Sequence, residues 1–121
     1  MNYKMGDIVW VSKATQIEEN NNVNNHLFVI IDDDGNVVTA DYFGFVVSSN
    51  LNKTKENSIY KHNEIIQKTN QNNLKTDSIV KCDQLFKIPS SNINNKIGQV
   101  DEEDLTRFLN SFEDFLNSNN Y

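Results

Sequence analysis

The sequence predicts a mainly β fold closed by one C-terminal helix. Three observations carry this. Short runs rich in β-branched and aromatic residues recur through the first two thirds of the chain. Clusters of Asn, Asp, Ser and Gly separate them, which is turn chemistry. Only one stretch, near the C-terminus, spaces its apolar residues as a helix does. About five to seven strands at such spacing suggest a small barrel or an open sheet.

The first run is Gly6-Asp7-Ile8-Val9-Trp10-Val11, a turn signal leading into a strand. Ser12 to Asn25 is polar and holds the run Asn20-Asn21-Asn22, so it reads as a long, mobile loop. His26 to Ile31 reads as the second strand, stopped by Asp32-Asp33-Asp34-Gly35-Asn36. Those aspartates are consecutive rather than alternating, and no Glu stands at the twelfth position, so a solvated turn fits better than a calcium loop. Val37 to Thr39 and Tyr42 to Ser48 form a third strand or a hairpin, with Gly44 marking a bulge or tight bend. Ser58 to Gln67 is a further strand, and Thr69 to Thr76 a polar connection. Ser78 to Cys82 and Leu85 to Ile88 are strand-like up to Pro89. From Asp101 to about Asn117, residues Leu105, Phe108, Leu109, Phe112, Phe115 and Leu116 share a helix face. Asp101, Glu102, Glu103 and Asp104 suit the positive end of its dipole, and Asp101 suits the N-cap. The whole chain, 1–121, is thus expected to be one domain, with strands over about 6–88 and the helix over about 101–117.

Composition bounds the function. The net charge is −6, and Arg107, in the predicted helix, is the only arginine. A sequence-independent nucleic-acid binder needs a basic face, and none is evident. A local site remains open. The lone Cys82 has no partner for an internal disulfide, which fits a reducing, cytoplasmic setting. It has no nearby His in sequence either, so it reads as a buried strand cysteine rather than a nucleophile. No secretory signal pattern opens the chain and the longest apolar stretch, Leu27 to Ile31, is too short for a bilayer, so no membrane role is expected. No metal-ligand spacing and no cofactor motif is present. The Asn runs read as loops, or as the mark of an AT-rich genome.

Several of these segments together resemble the MazF/PemK toxins. Gly6 to Val11 resembles that family's opening strand, and Leu27-Phe28-Val29-Ile30-Ile31-Asp32-Asp33 its second. Asp77-Ser78-Ile79-Val80-Lys81-Cys82-Asp83-Gln84-Leu85 is similar to the family's later strand, and Ile97-Gly98-Gln99-Val100 to its closing run into a terminal helix. The resemblance implies an SH3-like small β-barrel of the MazF/PemK/CcdB type that forms a homodimer. It implies a toxin that cuts single-stranded RNA at selected sequences without a metal, by attack of the 2′-hydroxyl on the neighbouring phosphate. It also implies an acidic antitoxin protein as partner.

Such cleavage needs a base for the 2′-hydroxyl, an acid for the leaving oxygen and donors for the charged phosphorane. The family's Arg-Pro falls on His26-Leu27 here, and its strand-end Thr or Ser on Ser48, with Ser49 beside it. The resemblance therefore makes His26 and Ser48 the candidate catalytic residues. His exchanges protons near neutral pH but lacks the donor fork of a guanidinium. His26 could equally be a solvent-facing histidine at the start of a strand, and Ser48 a plain strand-end hydroxyl. Lys13, Ser49, Lys53 (with Lys55) and His62 are candidate RNA contacts. Solvated lysines and an ordinary strand histidine are the plainer readings. If His26 and His62 faced one groove, an acid–base pair would be possible. Trp10, Tyr42 or Phe43 could stack bases, although Trp10 reads first as core. A different class of function also fits: a barrel of this type that binds a protein without catalysis, as a degenerate toxin, a regulator or a gyrase-directed poison. The acidic charge and the missing Arg favour that alternative.

Overall fold

A computed structural model of the chain describes residues 2–36, 40–52 and 60–118. Among these residues it has six strands: β1 (Asp7–Gln16), β2 (Asn22–Asp33), β3 (Tyr42–Ser48), β4 (Asn63–Ile66), β5 (Ser78–Ile88) and β6 (Ile93–Gln99). One helix, α1 (Glu102–Ser118), follows. The mainly β character and the single C-terminal helix are as the sequence predicts. The sheet order is β4-β5-β3-β2-β1-β6, and every pairing is antiparallel. The far end of β1 also pairs with β5, through Thr15 with Lys87 and Gln16 with Phe86. The ladder β5–β3–β2–β1 therefore returns to β5.

Two cores result, one on each face of these strands. Val9, Val11, Phe28, Ile30, Val46, Phe86 and Ile88 fill one. Ile8, Val29, Ile31, Phe45, Val47 and Val80 fill the other, under Phe108 of α1 and half-buried Leu105, Leu109 and Phe112. Burying both faces explains why Leu27 to Ile31 is continuously apolar instead of alternating. Strand β5 serves both cores. Its register with β3 breaks between the Val47–Val80 and Phe45–Leu85 pairs, so Val80 and Cys82 face α1 while Phe86 and Ile88 face the other core.

The structure corrects two readings. Ser12 to Asn25 is not a long loop: β1 runs on to Gln16, β2 begins at Asn22, and the two pair through Lys13–Asn24, Ala14–Val23 and Thr15–Asn22. The hairpin turns at Asn20, whose φ of 58° is the left-handed conformation that Asn tolerates. Ala14 is buried and Val23 packs half-buried against the core, while most other side chains of this arm are polar and face water. Second, the strands do not end near residue 88, since β6 lies along the outer side of β1. Ser78 to Ile88 is one strand, with Leu85 to Ile88 continuing Ser78 to Cys82 as expected. The strand expected from 58 to 67 is confined to Asn63–Ile66 among the described residues. Val37 to Thr39 lie outside them. Gly44 does mark a bulge: Ile31 is the extra residue between the Ile30–Gly44 and Asp32–Phe43 pairs, and a Cβ on Gly44 would stand 2.5 Å from the Val29 carbonyl oxygen.

The helix is capped and pinned. The Asp101 carboxylate accepts from the Asp104 N–H at 2.8 Å. Glu64, almost fully buried on β4, accepts from Arg107 at 3.0 Å and from the Ser111 hydroxyl at 2.5 Å. Arg107 also bonds Asp104 at 2.7 Å and the Ile65 carbonyl at 2.8 Å, so the only arginine holds α1 to β4. Cys82 is fully buried, and burial, with Glu64 adding to it, pushes its thiol up from the ordinary range. No described helix is long and apolar enough to cross a membrane.

Arg107→Ala removes the charged donor from a buried carboxylate. Urea denaturation is expected to show a loss of about 1–3 kcal/mol. A loss within 0.5 kcal/mol (about the scatter of an inconsequential surface change) would mean the pair contributes little. Cys82 is expected to resist a thiol reagent at pH 8 in the native protein and to react once urea unfolds it, because the thiolate is the reactive form.

Candidate functional site

Beyond the reach of α1, the face that carries Ile8 and Val29 stays open. There it forms a cleft of about 670 Å³. Its floor comes from directly paired strand positions. Leu27 of β2 lies opposite both Trp10 of β1 and Val47 of β3. Opposed residues in an antiparallel pair share a face. One wall is the end of β3 with Ser48 and Ser49. The other is the segment Asn73 to Thr76, with Asn95 and Ile97 of β6.

His26 and Asn25 stand at the cleft beside Ser48 and Ser49. Asn25 is left-handed at φ 54°, and across it the His26 Nδ1 lies 2.9 Å from the Asn24 carbonyl oxygen. A carbonyl only accepts, so in this contact Nδ1 carries the proton and the neutral ring keeps its lone pair on Nε2. Ser48 Oγ accepts from the Asn50 N–H at 3.2 Å, which leaves its own proton to donate elsewhere.

The wall is built on one buried asparagine. Asn72 is 1% exposed. Its Oδ1 accepts from the N–H groups of Thr69 and Leu74 at 2.9 and 3.1 Å, and its Nδ2 donates to the Gln67 carbonyl at 2.8 Å. Asn73, left-handed at φ 59°, donates from Nδ2 to the Ile97 carbonyl at 3.0 Å. Gly98 lies so close that a Cβ there would collide with the Asn72 backbone. The wall is thereby tied to β6, and the Gln99 N–H closes the contact on the Gln71 carbonyl at 3.1 Å.

The remaining sequence candidates divide. Lys13 is exposed on β1 but does not line the cleft. Lys53 and Lys55 lie outside the described residues. His62 is elsewhere: its ring packs edge-on to Phe115 of α1 with centroids 5.5 Å apart, so it forms no pair with His26 in this cleft. Trp10, read first as core, is 36% exposed at the cleft, because α1 covers the Ile8 end of that face and not the Trp10 end. Tyr42 is buried and Phe43 packs against the core beside α1, so neither reaches the cleft. The sequence reading missed Lys75, exposed at the cleft and without an ion pair to any described residue, and it missed Asn95. Nothing separates Lys75 in sequence from any loop lysine.

The acidic turn is locally engaged. Asp33 accepts from the Gly35 N–H at 2.7 Å and Asp34 from the Asn36 N–H at 2.9 Å, and this second bond holds the Asp34 carboxyl below its usual range. Among the described residues no group of three or more His, Cys, Asp and Glu stands close enough to hold a metal ion.

Asn72→Ala is expected to lower stability by about 2 kcal/mol, since two N–H groups and a carbonyl lose their partner. Hydrogen exchange at Thr69 and Leu74 should rise with it. Unchanged exchange at both amides would place the wall's support elsewhere.

The family model for the PemK-like, MazF-like toxin of type II toxin-antitoxin systems matches residues 4–116. No curated protein matches the chain.

Proposed function

The chain belongs to the PemK-like, MazF-like toxins of type II toxin–antitoxin systems, and from that membership we propose that its cleft cuts single-stranded RNA at selected sequences without a metal. The observation that carries this is the meeting of His26, Ser48 and Ser49 at one open cleft with an exposed indole and the exposed Lys75. In this reading His26 Nε2 takes the proton of a 2′-hydroxyl. The 2′-oxygen attacks the adjacent phosphorus, and the bond to the 5′-oxygen breaks. The products are a 2′,3′-cyclic phosphate and a 5′-hydroxyl, whose proton comes from water. The Ser48 hydroxyl and the Lys75 ammonium donate to the phosphorane oxygens, and Ser49 adds a further hydroxyl. The return of β1 to β5 supports an SH3-like barrel. The family supports a homodimer acting in the cytoplasm and held in check by an acidic antitoxin. Such an antitoxin would meet Lys75 and His26 at the same cleft.

A second reading has its own support: a toxin-like barrel that binds a protein and does no chemistry. The net charge is −6, and the only arginine is tied to Glu64 and Asp104, away from the cleft.

Incubation of a long single-stranded RNA with purified protein in EDTA separates the two. Site-selective cuts are expected, with a fall of at least a hundredfold in His26→Ala and about tenfold or more in Ser48→Ala, the scale of lost acid–base catalysis and of a lost donor. No cutting by the folded wild-type protein would favour the non-catalytic reading. Full cutting by both variants would remove these residues from the mechanism.

A further inference from the structure

Strand β6 departs twice from regular pairing with β1. Ile8 pairs with Gly98 and Val9 with Lys96, which leaves Ile97 as an extra residue; Trp10 pairs with Asn95 and Val11 with Ile93, which leaves Asn94 as a second. In a regular strand, residues 93 and 95 would point the same way. The bulge at Asn94 separates them. Ile93 joins Val11 in the core opposite α1, while Asn95 joins Trp10 at the cleft. Bulges next to sites serve to re-aim a side chain. Here the re-aimed group is an amide, and its neighbour across the pair is the exposed indole.

Leu27, Trp10 and Asn95 thus form one row across β2, β1 and β6: an apolar flank, an aromatic plate and an amide with a donor beside an acceptor. We propose that this row is a base-reading subsite, in which one unstacked nucleobase of the RNA lies on Trp10 and Asn95 reads its edge, with adenine favoured. Stacking on an aromatic plate holds any base and so provides affinity without selection. Selection needs hydrogen bonds to the edge. An amide matches the adjacent donor and acceptor of adenine, N6–H and N7, at two points. A purine also covers more of the indole than a pyrimidine does. Lys75, on the facing wall, is placed to meet a phosphate and carries no base information. The inference rests on the RNA reading of the cleft and names the residues that give it sequence preference.

The test uses 2′-O-methyl RNA pentamers that differ only in the central base. They have no free 2′-hydroxyl and cannot be cut, so binding is read apart from catalysis. Affinity comes from anisotropy of an end label, and Trp10 fluorescence is followed in parallel, as it is the only tryptophan. The pentamer with central adenine should bind tightest and quench Trp10. Trp10→Ala should weaken all four by about tenfold or more, and Trp10→Phe should recover most of that. Asn95→Ala should bring the four affinities together while its urea midpoint stays at the wild-type value. An unchanged spread in Asn95→Ala, a tightest pentamer other than adenine, or binding that leaves Trp10 fluorescence unaltered would overturn the subsite even if the protein cuts RNA. Absence of both pentamer binding and RNA cutting would overturn the subsite and the ribonuclease reading together, leaving the exposed indole to a protein partner.

Discussion

The central constraint on this fold is that β1 must bury both of its faces. Val9 and Val11 belong to one core and Ile8 to the other. A strand in that position exposes a large side chain only where one of its two covers stops. The cover on the Ile8 face is α1, and α1 is short of the Trp10 end. The cleft is therefore the unfinished part of a core. Its floor is apolar for the same reason that the core is, and its polar groups come from the surrounding ends and loops.

What holds α1 in place then determines where the cleft begins. Phe108 supplies the buried apolar anchor, and the Glu64–Arg107–Ser111 contacts fix the helix to β4. Gly6 locks the start of β1 to both neighbours: its N–H reaches the Ile30 carbonyl at 2.7 Å and its carbonyl takes the Val100 N–H at 2.9 Å. Its φ of 94° suits glycine and few other residues. Asp7, buried beside it, takes the Lys96 ammonium at 3.0 Å. The sheet edge and the segment leading into α1 are thereby set against each other before the cleft is reached.

The parts legible in the sequence were those that bury an unbroken apolar set: Ile8 to Val11, Leu27 to Ile31, Phe45 to Val47, and the Leu105-Phe108-Leu109-Phe112 stripe. The outer arm of the β1–β2 hairpin was hidden because its pairing relies on backbone hydrogen bonds, which leave no mark on side-chain type. Strand β6 was hidden for a related reason: Ile-Asn-Asn-Lys-Ile-Gly-Gln breaks alternation at both bulges. The asparagine runs concealed position-specific needs. Asn20, Asn25 and Asn73 take left-handed backbone angles, and Asn72 replaces missing backbone partners inside the protein. Runs of one residue type cannot show which member does this. His26 and Ser48 were nominated through family resemblance, whereas Lys75 and Asn95 as cleft-lining residues depend on which loop and which edge strand close the cleft.

The bulge at Asn94 also bears on how such a protein can change over generations. It divides β6 into a residue packed in a core, Ile93, and a residue exposed at the cleft, Asn95. Drift at the second position leaves the packing of the first untouched. A lineage carrying this arrangement can therefore vary the lining of the cleft one substitution at a time, without first passing through a poorly folded ancestor.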